Sequence, residues 1–151
     1  MILIAHRGLF DGPDADSENR PEQIIQALGK GYDCEIDAWF KDGNWFLGHD
    51  GPEYEIDFDF LTQPGLWIHA KNLSALYIMG ADNRLNFFWH ENDAYTLTSH
   101  GYIWSFPKQQ LTKNSIMLMP EWEDPKLNNT RYADCAGICS DYVEKIKSIV
   151  D

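Results

Sequence analysis

Ile2-Leu3-Ile4-Ala5-His6, then Pro21-Glu22-Gln23-Ile24-Ile25-Gln26-Ala27-Leu28, then Tyr32-Asp33-Cys34-Glu35-Ile36-Asp37: these three runs decide the fold. The first and third have the length and the β-branched and aromatic content of strands. The middle run reads as a helix. Asn19 is placed to cap it, Pro21 suits its first turn, Ile24, Ile25, Ala27 and Leu28 form one apolar stripe, and Gly29 or Gly31 can end it. Strand, helix, strand predicts a parallel α/β arrangement.

Working outward, strand-like runs recur at 66–71, 86–90, 95–98, 102–105, 115–119 and 136–140, and helical runs at 73–79 and 142–150. Lys41-Asp42-Gly43-Asn44 predicts a hairpin turn between runs around Phe40 and at 45–47. About eight strands suggest a closed parallel barrel, but such barrels typically need ~250 residues. With 151 residues, each of eight units would have roughly 19, fewer than a strand plus a crossover helix requires. The expectation is one domain over residues 1–151, a reduced parallel (β/α)8 TIM-like barrel with several outer helices shortened or missing. An open doubly wound sheet is the alternative.

Composition sets the boundaries. An apolar fraction of 44% with 8 Phe, 7 Tyr and 6 Trp is ample for a core and excludes a disordered chain. The formal net charge of −12 repels nucleic acid and anionic membranes. An anionic substrate therefore needs a few local cations or a metal to reverse the sign inside the site. No apolar run approaches the ~20 residues of a membrane span. Three scattered cysteines, Cys34, Cys135 and Cys139, and the absence of a signal-like opening predict a reducing, cytoplasmic setting. There the tripeptides Asn72-Leu73-Ser74 and Asn128-Asn129-Thr130 have no meaning as glycosylation sites. Oligomeric state is not legible.

Chemistry concentrates in the first half. Alternation places Glu35 and Asp37 on one strand face and Cys34 and Ile36 on the other. Adjacent carboxylates repel unless a cation sits between them, and Mg²⁺ or Ca²⁺ suits carboxylate oxygens while leaving positions for phosphate. The hairpin delivers Gly48-His49-Asp50. In Leu66-Trp67-Ile68-His69-Ala70-Lys71 the same alternation groups Trp67, His69 and Lys71, with Leu66, Ile68 and Ala70 toward the helices.

The ordered series His6-Arg7-Gly8, Glu18-Asn19, Glu35-Ile36-Asp37, His49-Asp50 and Lys71 resembles the glycerophosphodiester phosphodiesterase family, and Ile138-Cys139-Ser140-Asp141-Tyr142 is similar to that family's closing strand. The likeness covers the first 72 residues and is weak or absent from Leu73 to Asn129. It implies a divalent-metal phosphodiesterase of lipid-derived diesters on a (β/α)8 barrel. His6 and His49 would act as acid and base, Glu35 and Asp37 would hold the metal, and Arg7 and Lys71 would bind phosphate. Glu18 and Asn19 would support them. Imidazole both gives and takes a proton near neutrality, and a phosphodiester needs its non-bridging oxygens neutralised before a nucleophile approaches.

One position departs from the family, which carries a Glu where His69 stands. Imidazole can ligate, but an anionic oxygen is lost, which shifts preference from Mg²⁺ or Ca²⁺ toward Mn²⁺ or Zn²⁺. Glu18, His90, Glu91 and Glu121 are the candidates to compensate. The alternatives are a phosphate-ligand binding module without turnover, or a related phospholipase D-like lyase.

The remaining residues have plainer readings. His90 is structural as readily as a ligand, and alternation turns only one of His90 and Glu91 inward. Asp141 reads first as a cap of the last helix, and the loop from Asp14 to Glu18 fails the calcium-loop pattern. Cys135 and Cys139 read as buried hydrophobes. Trp39, Trp45, Trp89 and Trp104 read as packing, with a sugar- or choline-lining role the lesser option.

Overall fold

The structure is a computed structural model that describes residues 1–128 and 130–151; Asn129, inside the second Asn-x-Thr tripeptide, lies outside the described residues. In chain order the elements are β1 (Ile2–His6), α1 (Pro21–Gly29), β2 (Asp33–Lys41), β3 (Asn44–Leu47), β4 (Tyr54–Ile56), α2 (Phe58–Leu61), β5 (Leu66–Ala70), α3 (Leu73–Met79), β6 (Phe87–Phe88), β7 (Tyr95–Leu97), β8 (Ile103–Ser105), β9 (Ser115–Leu118), β10 (Gly137–Ser140) and α4 (Val143–Val150). Short 3-10 turns occupy Pro120–Trp122 and Thr130–Asp134. Among the described residues no helix is long and apolar enough to cross a membrane.

All ten strands join one sheet. β6, β5, β2, β1, β10, β9 and β8 lie side by side with parallel pairings. The pairings β2–β3, β3–β4 and β7–β8 are antiparallel. β2 is long enough to serve three neighbours. Its first residues pair with β1, its middle with β5, and its last four, Ala38 to Lys41, with the β3 hairpin. The turn at Lys41-Asp42-Gly43-Asn44 forms as its sequence predicts, with Asp42 and Gly43 both at positive φ (51° and 83°) as a two-residue hairpin requires.

The expected (β/α)8 barrel does not form. The sheet curls into a half-barrel with four short helices, and no strand ladder among the described residues joins β6 to β7 or β8. The cause is local. β6 is only two residues long, and Ser99-His100-Gly101 turns β7 straight back antiparallel onto β8, where a parallel neighbour would need a crossover of a dozen or more residues. Across the gap there are single contacts instead. The Ser99 N–H donates to the Phe87 carbonyl (2.8 Å), the Thr96 hydroxyl to the Trp89 carbonyl (2.8 Å), and Phe88 stacks on Trp104 with ring centres 4.6 Å apart.

Packing follows the period-two pattern. Ala5, Cys34, Ile36, Ala38, Ile68 and Ala70 face the convex side, where Ile24 and Ala27 of α1 and Ala75 and Met79 of α3 bury them. The concave side is filled near its floor by Ile4, Trp67, Phe88, Trp104, Ile116 and Cys139. Gly8 (φ 80°) lets α1 approach: a Cβ there would meet the Ile24 side chain at 3.0 Å. Above the aromatic floor, at the carboxyl ends of the parallel strands, the concave side becomes polar.

Candidate metal and phosphate site

Strand register assembles the site. His6 sits opposite Glu35 across β1–β2, and Asp37 opposite His69 across β2–β5. Lys71 follows β5 directly, and the β3 end delivers His49 after Gly48. Gly48 has φ 150°, and a Cβ on it would run into the Gly51 carbonyl oxygen, so only glycine makes this corner. Together His6, Arg7, Glu35, Asp37, His49, His69 and Lys71 form one wall of a cavity of about 590 Å³.

Asp37 is the hub and is 1% exposed. Its Oδ2 accepts from the Asn19 amide (2.9 Å) and from His49 Nδ1 (3.1 Å), and Arg7 Nε lies 3.5 Å away. Its Oδ1 is 3.1 Å from His69 Nδ1 and 3.7 Å from Lys71 Nζ. Burial works to raise its pKa, but the two imidazoles and the Lys71 ammonium outweigh it and hold the carboxyl well below the ordinary value. Glu35 behaves oppositely. Burial first, then the neighbouring Asp37 charge, raises its pKa. The Arg7 backbone N–H donates to Glu35 Oε2 (3.1 Å), from a backbone held at φ 53°.

Hydrogen-bond partners decide which ring nitrogens donate and which accept. His69 Nε2 is 3.0 Å from the His90 carbonyl oxygen, which can only accept, so Nε2 carries the proton. The ring's Nδ1 then faces Asp37 Oδ1 at 3.1 Å. That contact calls for a proton or a cation between them. Glu35, Asp37 and His69 each offer a ligand atom within 4.8 Å of the others, and a carbonyl holding the far nitrogen is how ligating histidines are oriented. The donor set fits a divalent cation. For His49, Arg7 Nη2 can only donate (3.1 Å), so Nε2 holds the lone pair and Nδ1–H goes to Asp37.

No protein-family model matches the chain, and no curated protein or solved structure matches it.

The remaining expected residues divide. Glu18 grips Arg7 Nη1 (2.9 Å) and does not approach the ligand trio. Arg7 thus has Glu18, His49 and Asp37 around it, and with five N–H groups it retains donors for a phosphate oxygen. Asn19 does not cap α1, whose N-cap is Arg20 without a side-chain bond. It is buried at φ 58° and clamps Asp37 with both ends of its amide, accepting from the Asp37 N–H (2.9 Å) while donating to Oδ2. Asn19→Ala leaves the Asp37 N–H unpaired, removes one of the donors to Oδ2 and strains a left-handed backbone. The expected cost is about 1–3 kcal/mol or more, read by urea denaturation; an unchanged midpoint would contradict the clamp.

Asp141 and Glu121 both take other roles than the sequence suggests. Asp141 does not cap α4: its Oδ1 lies 2.8 Å from His6 Nδ1. Glu121, a candidate spare ligand, instead accepts from the Ser140 hydroxyl (2.9 and 2.8 Å) and the Asp141 N–H (3.0 Å), so it holds the loop that holds His6. Both His90 and Glu91 line the cavity, because β6 ends at Phe88 and alternation no longer applies beyond it. Asn72, in the first tripeptide, is committed to capping α3 and to the Phe40 backbone.

Proposed function

We propose that the protein is a divalent-cation-dependent phosphodiesterase that hydrolyses a glycerophosphodiester-like small molecule. The observation that carries this reading is Asp37, buried at the meeting point of two potential metal ligands, two phosphate-seeking cations and a base. The ordered resemblance of the first 72 residues to glycerophosphodiester phosphodiesterases supports it independently. Arg7 and Lys71 also meet the need for local cations in a chain of net charge −12.

Glu35, Asp37 and His69 would hold the cation, which when bound would supply charge neutralisation at the phosphoryl group. Arg7 and Lys71 orient the diester through its non-bridging oxygens. His49 Nε2, carrying a lone pair and released when Arg7 turns to phosphate, takes a proton from the attacking water. The new P–O bond forms as the bond to the alcohol breaks. His6, whose pKa is raised by Asp141 and Glu35 against an opposing effect of burial, gives its proton to the departing alkoxide. The products are a phosphomonoester and an alcohol, and solvent resets the two imidazoles.

The net charge argues for a small-molecule substrate over nucleic acid, and three buried thiols fit a reducing cytoplasm. The test is hydrolysis of a glycerophosphodiester panel in Mg²⁺, Ca²⁺, Mn²⁺, Zn²⁺ and chelator. Turnover is expected only with metal, with Mn²⁺ or Zn²⁺ above Ca²⁺ because one ligand is imidazole. Full activity in chelator would overturn the metal role. Tight binding of phosphomonoesters with no turnover under any ion would instead favour the binding-module reading.

A further inference from the structure

The cavity has a second half that the proposed chemistry does not use. It is built from the segment in which the sequence resemblance is absent. Four rings step outward from the metal ligands: His69 to His90 (centroids 6.1 Å), His90 to Phe106 (6.0 Å), and Phe106 to Trp122 (6.5 Å, edge to face). Phe106 and Trp122, 40% and 60% exposed, meet each other at the cavity and leave ring faces open to a ligand.

This end is constructed rather than incidental. His90 Nδ1 is held by Asp93 Oδ2 (2.7 Å), and the Glu91 N–H caps the other Asp93 oxygen (3.0 Å). The Phe106 N–H ties to the Ala94 carbonyl (3.0 Å), and the His90 carbonyl holds His69. With Nδ1 committed, the functional end of His90 is Nε2. Glu91 and Asn92 line the same stretch.

We infer that His90, Glu91, Asn92, Phe106 and Trp122 form a subsite for the alcohol portion of the diester, and that this alcohol is a ring polyol, a sugar or cyclitol. The inference rests on the phosphodiesterase reading and names its substrate class. A ring polyol presents C–H faces to aromatic rings and a rim of hydroxyls that both give and accept hydrogen bonds. The subsite offers both: flat rings, an amide N–H that donates, and an imidazole nitrogen (His90 Nε2, with Nδ1–H given to Asp93), a carboxylate and an amide oxygen that accept. An acyl chain would use none of these polar groups, and a quaternary ammonium would use the rings and Glu91 but offers no hydrogen bond to His90 or Asn92. The ring path starts at the metal ligand His69, so a polyol seated on it lies next to the phosphate.

The test has two arms. In the first, kcat/KM is compared for glycerophosphoinositol, glycerophosphoethanolamine, glycerophosphocholine and lysophosphatidylcholine. The inositol diester is expected to lead the others by ~10-fold or more, a difference of about 1.4 kcal/mol. Phe106→Ala and Trp122→Ala, each checked by thermal melting, should collapse that ratio. In the second, calorimetry in Mn²⁺ compares binding of myo-inositol 1-phosphate with ethanolamine phosphate, a readout that needs no turnover. Activity without an inositol preference, or with choline or the lysolipid leading, overturns the subsite. Preferential binding of inositol phosphate without turnover sinks the phosphodiesterase reading and leaves the subsite standing. Neither turnover nor preference removes both.

Discussion

Asp37→Ala is expected to abolish divalent-ion binding and turnover and to lower the melting temperature by roughly 10 °C. The thermal figure follows from a cost of about 3–5 kcal/mol for stripping one partner from a buried ion network, at ~2–4 °C per kcal/mol for a domain of this size. The substitution strips Arg7 and Lys71 of the carboxylate both approach, leaving Arg7 with Glu18, and leaves Asn19 and His49 without their acceptor. The sign can be checked against pH. A carboxyl whose folded pKa is depressed contributes stability that is complete above its ordinary value of 3.8 and disappears as pH falls through the depressed one.

Glu35 sharpens the test because its sign is reversed. Its folded pKa is raised, so its ionised form costs stability as pH climbs above its ordinary value of 4.5. In metal-free protein at neutral pH, Glu35→Gln is therefore expected to melt higher than wild type while losing ion affinity and activity. Calorimetric melts with and without Mn²⁺ read both variants. If Asp37→Ala melts like wild type, or Glu35→Gln melts lower in chelator, the electrostatic account of the site is wrong.

What the sequence conveyed was what is periodic. Alternation in β2 and β5 placed Glu35, Asp37, His69 and Trp67 on the concave side and Cys34, Ile36, Ile68 and Ala70 against the helices, as the structure has them. The Asp42-Gly43 turn is an equally local signal, and of the α1 stripe Ile24, Ala27 and Leu28 pack inward while Ile25 stands exposed. Asn19 and Asp141 were misread for one shared reason. A short polar side chain beside a helix is read as a cap, whereas their partners lie 18 and 135 residues away and are brought close only by parallel pairing. Sheet closure was misjudged because counting apolar runs cannot distinguish a strand that crosses over from one that doubles back. At 95–105 the short turn, not the number of runs, decides the direction. Met119, left-handed at φ 42° and lining the cavity, had no signal in the sequence at all.

Asp141→Asn is expected to lower turnover by ~10²–10⁴-fold, the range of a misplaced general acid, with little loss of ion binding, because Asp141 lies outside the ligand trio. His6 is half-buried, and that desolvation alone would push its pKa down. Asp141, through the 2.8 Å contact and its charge, together with Glu35, reverses that push. Asparagine keeps the shape but removes the charge, so the His6 titration measured by NMR should move from above 6.5 in wild type to a lower value in the variant. The sign of the stability effect follows. A histidine with a raised folded pKa contributes stability that is full below 6.5 and fades as pH rises through the folded value, so the variant should lose stability on the acid side and approach wild type in alkali. The alkaline limb of the pH–rate profile should shift to lower pH with the His6 titration, since the acid must be protonated to act. A variant that loses activity while His6 titrates as before would assign Asp141 a role at the reacting atoms in place of one through His6.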